Sequence, residues 1–432
     1  MNFSQKALLT ILGKFSVAAI ALLVSSLLSR LLGVSGIGQY QVIITTQTIA
    51  ITILAMGFGN ASIFFINNQK VSSVKIVSNI LKVYFWIAIL FIAIFSGVIF
   101  LNSNYFGILD WKCVLFFTIG SAALLLYNLL LPILYVDLDV IKIQILSVLS
   151  GVVLLFGVLL FYFFQQLDIN VILAISGFSN FLPFLLLIYY LRNKIDLSIK
   201  LDYSLIKKIF IYGVKISATN FVFLLSSNLV IFLLKGQLEN GFQEVGLFSR
   251  AATIVNMVVL IPSSIAPLIF SKWAGASKDK LGLEVETILR ILNTINYLGI
   301  ITIFLFGEKI LILLFGKEFI DAVPALNVMI LSIVFSAITI VLMNLYSSIG
   351  KPMVILSVFF VSLLITAIVA YFCIPFLNSI GAGLSVMIGV VFNGVVLFIL
   401  ANREVKIKLK KVLIIRTEDI HLLKTIFNKP KP

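Results

Sequence analysis

The chain has 432 residues, a formal net charge of +15 and 61% hydrophobic residues. Only 11% of residues are charged, against about 25% in soluble domains, and the mean hydropathy is +1.18. This excludes a soluble domain of any size and defines an integral membrane protein that crosses the bilayer many times.

Windows of about 19 residues place six spans in the first half: 7–29, 42–66, 79–101, 113–135, 143–165 and 170–191. Met1 to Lys6 ahead of the first span resembles the start of a signal peptide. The apolar run behind it exceeds the signal-peptide length, and no small-x-small cleavage site follows, so it is read as a span. The stretch from Arg192 to Lys208 is the most polar interior segment. Six further spans follow at 209–234, 247–270, 288–315, 322–347, 353–375 and 380–401. The expected architecture is all-α, with about 12 transmembrane helices in two six-helix lobes. Residues 1–195 form an N-lobe, 196–208 a cytoplasmic linker, 209–401 a C-lobe and 402–432 a basic cytoplasmic tail.

Twenty-three of the 32 Lys and Arg fall on the side of the N-terminus, and nine of these are in the tail. The positive-inside rule then puts both termini in the cytoplasm. The net charge reports topology and attraction to anionic headgroups, with Arg403 to Lys411 able to lie on the membrane surface. Nucleic acid is not an expected partner. Cys113 and Cys373 stand alone in separate halves, and His421 is the single histidine. The inventory therefore supports no disulfide framework, no metal site and no cofactor.

Four cations are placed in or at the edge of spans: Lys14, Lys215, Arg250 and Arg290, with Arg30 at the end of the first span. A fixed positive charge at such a depth is tolerated when it faces a bundle interior and meets an anion. Snorkelling of Lys14 and Lys215, anchoring of Arg30 and Arg250 at the interface, and an i, i+4 pair of Arg290 with Glu286 are the alternatives. The guanidinium fork suits phosphate oxygens, whereas Lys acts as a point charge. The acids map to loops and span ends. Amides on the presumed inner faces, Asn60, Asn67, Asn68, Asn220, Asn228, Asn256, Asn293 and Asn296, suit sugar hydroxyls and serve equally as interhelical glue. Pro262 and Pro267 mark the eighth span as the one expected to bend, and Gly57 and Gly59 allow close packing or a hinge.

An internal repeat supports two lobes. Lys14-x-Ser16 with Ser25-Ser26 in the first span matches Lys215-x-Ser217 with Ser226-Ser227 in the seventh. Gly38-Gln39-Tyr40 and Gly246-Leu247-Phe248 follow the two copies. Parallel repeats of this kind belong to two-lobed transporters with the site between the lobes.

Ser29-Arg30-Leu31-Leu32-Gly33, Gly38-Gln39-Tyr40 and Gly350-Lys351-Pro352, with the chain length and span count, resemble the bacterial polysaccharide (O-antigen type) flippases. Their superfamily also holds the multidrug and toxic compound extruders (MATE) and the peptidoglycan lipid flippase. The resemblance implies a MATE-like, non-enzymatic, alternating-access exporter of the bacterial inner membrane. Its partners would be an undecaprenyl-pyrophosphate-linked glycan, membrane lipids and other polysaccharide assembly proteins. It also implies a cationic central cavity for pyrophosphate and sugars, with a lateral opening near spans one and eight for the lipid tail. Two other readings compete: a cation-coupled multidrug extruder, which would need a carboxylate within a span, and a membrane-embedded polysaccharide polymerase, which would carry a long external loop.

Overall fold

The computed structural model describes residues 3–55, 57–137, 139–164, 168–273, 278–408 and 411–412. In hydrocarbon each backbone amide must be satisfied within its own element, which leaves helices as the solution for these sequences. Among the described residues thirteen form in chain order: α1 (Phe3–Ala55), α2 (Phe58–Asn67), α3 (Ser73–Leu101), α4 (Ser103–Phe106), α5 (Trp111–Val136), α6 (Val140–Phe163) and α7 (Ile169–Leu191). They continue with α8 (Tyr203–Gln237), α9 (Gly241–Trp273), α10 (Lys278–Phe315), α11 (Val323–Ile330), α12 (Ile333–Ser348) and α13 (Pro352–Val405). No strand occurs among the described residues.

Among the described residues, nine stretches of helix are long and apolar enough to cross a membrane, or ten when a pair bent by 49°, Lys317–Ile330 with Ile333–Ser348, counts as one span. Two of the nine, Leu12–Asn67 with 56 residues and Pro352–Val405 with 54, are twice the necessary length. Each contains a break: Gly33 at φ 66° in the first and Asn378 at φ 49° in the second. Read as two spans apiece, they are consistent with the expected twelve. The chain is a multi-pass, all-α membrane protein.

Several boundaries differ from expectation. No loop separates the first two spans, because α1 continues through Gly33, whose missing Cβ admits the left-handed φ that redirects the chain. The second span is itself interrupted at Gly57, at φ 68°, so α2 starts afresh. α9 runs without a break in its helix through Pro262 and Pro267. Breaks occur between α11 and α12 and at Asn378.

The described chain forms two compact units, one of Met1–Leu224 with Asn240–Gly246, the other of Leu225–Glu239 with Leu247–Pro432. In the first, α5 packs most extensively on α7 and then on α3, while α1 lies on α6 and α2 on α5. Gly120 and Gly177 let α5 and α7 meet backbone to backbone: a Cβ on Gly120 would sit 2.1 Å from the Gly177 carbonyl oxygen. Such small-residue contacts replace the hydrophobic drive that is missing between helices in lipid. In the second unit, α12 and α11 pack on α13, and α10 packs on α12.

The residues between α7 and α8 are strapped to α3. Ser78 Oγ accepts from the Asp196 amide at 2.9 Å, and Asn79 Oδ1 from the Asp202 amide at 2.7 Å. Lys82 Nζ donates to the Ile199 carbonyl at 2.6 Å, and Lys75 pairs with Asp202 at 2.8 Å. The hydrogen bond from Lys75, helped by the Leu205 amide, holds the Asp202 carboxyl below its ordinary pKa.

The two glycines that close the sequence repeat touch the same junction within the first unit. A Cβ on Gly38 would lie 1.8 Å from the Phe242 carbonyl oxygen and 2.9 Å from the Gly246 nitrogen. One on Gly246 would lie 2.1 Å from the Val34 carbonyl oxygen. Beside it, Gln39 Nε2 donates to the Phe106 carbonyl at 2.8 Å, fixing α4 to α1. Gly38→Val and Gly246→Val must each push a backbone aside, at a cost on the order of 1–3 kcal/mol or more. Thermal unfolding in detergent should show both melting several degrees lower, whereas Gly97→Ala, with nothing within 4 Å of its Cβ, should melt no lower than the native chain.

Candidate substrate site

The cations fall into two groups by environment. In the first unit, Lys14 lies half-buried on α1, next to Gly13, whose Cβ position is occupied by the side chain of Gln144 on α6. Lys215 is exposed on α8. Its direction follows from its neighbours: Gly213 and Ser217 face the break at Gly57, where a Cβ would meet Ser217 Oγ at 1.8 Å and the Gly213 carbonyl oxygen at 2.5 Å. Lys215, about 200° round the helix from Gly213 at 100° per residue, is on the opposite flank. Neither Lys14 nor Lys215 forms a hydrogen bond or ion pair among the described residues. The copies of the repeat differ locally, since Ser16 donates back to the Leu12 carbonyl at 3.0 Å whereas Ser217 packs on Gly57.

The same junction carries two of the amides. Phe64 of α2 stacks on Tyr212 of α8 with ring centroids 4.3 Å apart, and Phe58 meets Phe210 at 6.0 Å. Asn60, one turn beyond Gly57, is exposed, as is Asn220, two turns along the Gly213 stripe of α8. Asn60 and Asn220 thus belong to the elements that meet at the contact of α2 with α8, whereas Lys215 points away from that contact. Asn67 and Asn68 are exposed at the end of α2. Arg30 is exposed three residues before the break at Gly33 and is engaged by a neighbouring group.

The second unit holds the other two cations. Arg250, read as a ligand or as an interface anchor, is only 4% exposed. Its guanidinium carbon lies 5.4 Å from the centroid of the Phe315 ring, and Nε donates to Ser249 Oγ at 3.4 Å. Cation–π contact of a desolvated guanidinium is a packing interaction in its own right. Arg290, expected either as a ligand or as an i, i+4 partner of Glu286, turns its fork to the chain beyond α13. Nη1 donates to the Lys411 carbonyl at 2.8 Å and Nη2 to Thr287 Oγ1 at 3.1 Å.

That contact is part of a strap. The buried Glu286 accepts from the Lys408 amide at 2.9 Å and lies 3.7 Å from Lys411 Nζ, and Asn293 Nδ2 donates to the Val412 carbonyl at 2.9 Å. Gly282 admits the Val405 carbonyl, and Ile407 and Val412 are fully buried. Gly282, Glu286, Arg290 and Asn293 form one stripe of α10 that holds a chain segment by its backbone. The start of the basic tail is therefore docked by its backbone on α10, with Arg403, Lys406 and Lys408 exposed. Residues from 413 onward lie outside the described residues. Asn296 is also internal, donating to the Ile333 carbonyl at 3.3 Å. Asn228 is half-buried and engaged, while Asn256 is exposed on α9.

Among the described residues most carboxylates lie at helix ends and in loops, but Glu284, Glu286 and Glu308 lie within α10. Asp110 and Asp168 accept the amides of Lys112 and Val171 at the starts of α5 and α7. Glu244 is in the first turn of α9, and Glu404 pairs with Lys351 next to the α12–α13 turn. No group of three or more His, Cys, Asp or Glu among the described residues is placed to hold a metal ion. The motifs Gly33, Gly38-Gln39 and Gly350-Lys351-Pro352 act in turns and contacts, the last through Gly350 at φ 75° and Pro352 in the first turn of α13.

Comparison with known proteins agrees with this architecture. The chain is 22% identical over 231 residues to a putative O-antigen transporter of Shigella flexneri, a match spanning 52% of this chain and 54% of the relative, about half the length of each. The lipid II flippase MurJ in an inward closed conformation superposes with a TM-score of 0.74 at 13% identity, covering 98% of this chain and 94% of that one. An inward-facing MATE family multidrug resistance transporter of the MOP superfamily superposes with a TM-score of 0.73 at 13% identity, covering 92% and 98%. No protein-family model matches the chain. The chain has the fold of the MOP-superfamily transporters, and the similar proteins are transporters and flippases.

Arg290→Ala removes donors from a buried carbonyl, a loss of about 1–3 kcal/mol. Hydrogen exchange should report amides 405–412 exchanging about tenfold faster or more in this variant, with the amides of α5 and α7 unchanged.

Proposed function

We propose that the chain is a flippase that moves undecaprenyl-pyrophosphate-linked oligosaccharide repeat units, of O-antigen or capsule type, from the inner to the outer leaflet of the bacterial inner membrane. The observation that carries this reading is the pairing pattern of charge. Lys14 and Lys215 sit in apolar helices with no carboxylate partner among the described residues, while Asp110 and Asp168 serve the starts of α5 and α7 and Glu286, within α10, is taken up by Lys408 and Lys411. Cations without an acid partner suit a doubly charged anionic headgroup and repel a cationic drug.

The physical task fits the fold. Even one ionised side chain at a helix centre costs about 2.5–3.5 kcal/mol by insertion scales, and a pyrophosphate with several sugars would cost far more. A hydrated cationic cavity replaces the lost solvation. In this reading Lys14 and Lys215 attract the pyrophosphate, Arg30 contributes at the outer end, and Asn60, Asn220, Asn228 and Asn256 bond sugar hydroxyls. Arg250 and Arg290 support the frame. Lobes 1–195 and 209–401 carry the alternating access, and the linker 196–208, strapped to α3 by Ser78, Asn79 and Lys82, belongs with the first lobe. The lipid tail stays in the bilayer. The termini face the cytoplasm, where the headgroup loads, and the other polysaccharide assembly proteins take the product outside.

The likeness to a multidrug resistance transporter favours a second reading, export of cationic drugs. Cells lacking the chain should accumulate lipid-linked oligosaccharide on the inner leaflet, and the native gene should clear it. Lys14→Ala and Lys215→Ala should each reduce clearance about tenfold, the worth of one charge-assisted contact, at equal protein level. Full clearance by both variants would remove the assigned ligands. No accumulation, together with lowered uptake of a cationic dye on expression, would establish the second reading.

A further inference from the structure

A cavity of about 1120 Å³ in the first unit lies between α3, α5 and α7, outside every residue assigned above to the exported cargo. Small side chains, Ala88, Ala122 and Ala123, make its floor. Larger apolar residues, among them Ile92 and Phe184, make its walls. Phe85 and Trp86 on its rim are 57% and 70% exposed, so it opens on the outer face of the helices, where lipid is the solvent. Lys82 is the one charged residue among its lining residues. From Lys82 to Ile92 the groove follows α3 for about 15 Å at 1.5 Å per residue. That is about half of a hydrocarbon core about 30 Å thick, the depth of one leaflet.

The charge at the Lys82 end gives the groove a polarity. One ammonium donor of Lys82 holds the Ile199 carbonyl, which leaves two of its three. The nearby Asp196 is engaged by the hydroxyl and amide of Ser198, at 2.6 and 2.9 Å. Lys200, Lys207 and Lys208 are exposed in the adjoining loop and first two turns of α8, and Tyr203 is 75% exposed beside them. Apolar walls one leaflet deep, ending at a partly unsatisfied ammonium within a basic loop, match an amphiphile with a hydrocarbon chain and an anionic head.

We propose that this groove binds an anionic phospholipid of the surrounding bilayer, with one acyl chain on the alanine floor and the phosphate at Lys82. The same ammonium ties the 195–203 loop to α3, so the lipid also braces the connection between α7 and α8. This site is separate from the cargo site and stands whatever the exported molecule is.

The test uses the full-length protein, delipidated in detergent and presented with equal amounts of phosphatidylglycerol and phosphatidylcholine, with bound lipid read by native mass spectrometry. The native chain should retain phosphatidylglycerol in several-fold excess. Lys82→Ala should bring the two lipids to parity, and Lys82→Arg should restore the excess. Ala122→Phe, which fills the floor, should lower retention of both. The Lys82 variants decide the matter alone if Ala122→Phe does not fold. Equal retention by the native chain, an excess unchanged in Lys82→Ala, unchanged retention in a folded Ala122→Phe, or displacement of phosphatidylglycerol by a lower concentration of a polyprenyl phosphate would each overturn the assignment.

Discussion

A peptide group stripped of water in hydrocarbon must find its partner within the protein, and this requirement governs nearly every feature of the chain. It forces the apolar sequence into helices and sends hydroxyl side chains back onto their own helices. Thr46, Thr48 and Thr52 donate to the carbonyls of Val42, Ile44 and Thr48, and Ser62, Ser121 and Ser147 do likewise four residues back. It also restricts where a helix can break. Gly33, Gly57 and Asn378 are residue types that reach positive φ at low cost.

The same scarcity of water sorts the charges. Carboxylates do structural work: Asp110 and Asp168 cap α5 and α7, Asp202 anchors the linker, and Glu286, within α10, receives the tail. Two arginines are absorbed by the frame, Arg250 by the Phe315 ring and Arg290 by the Lys411 carbonyl. Lys14 and Lys215 remain without such engagement among the described residues, and the functional reading turns on them.

Hydropathy placed the spans well, because the thickness of the bilayer sets a length that composition reveals directly. The breaks were harder to place. Gly33 continues α1 where a loop was expected, since a single residue at positive φ redirects a helix without leaving any polar signature. Pro262 and Pro267 suggested a bend that α9 does not make as a break; a proline removes one donor but does not oblige the helix to end. The surroundings of the arginines were hidden for a related reason. Spacing reveals acids four residues away, whereas a ring or a backbone carbonyl contributed from 65 or 121 positions along the chain is invisible to it. The polar stripe Glu286, Arg290 and Asn293 was legible as a set of i, i+4 and i+3 positions, but a bound tail segment was not. The reciprocal contact of Gly38 and Gly246 was half visible, as matched positions of a repeat whose meeting only coordinates reveal.

The central claim is that unpartnered cations in this fold accept a phosphorylated headgroup, and transport in a purified system tests it most directly. Protein reconstituted in vesicles should speed the crossing of a short-chain polyprenyl-pyrophosphate saccharide between leaflets, as followed by its accessibility to an impermeant sugar-modifying reagent. The same lipid with a neutral linkage in place of pyrophosphate should gain little, and Lys14→Ala combined with Lys215→Ala should abolish the difference between the two. If the native protein moved the charged and neutral lipids at the same rate, the account of the site would be contradicted.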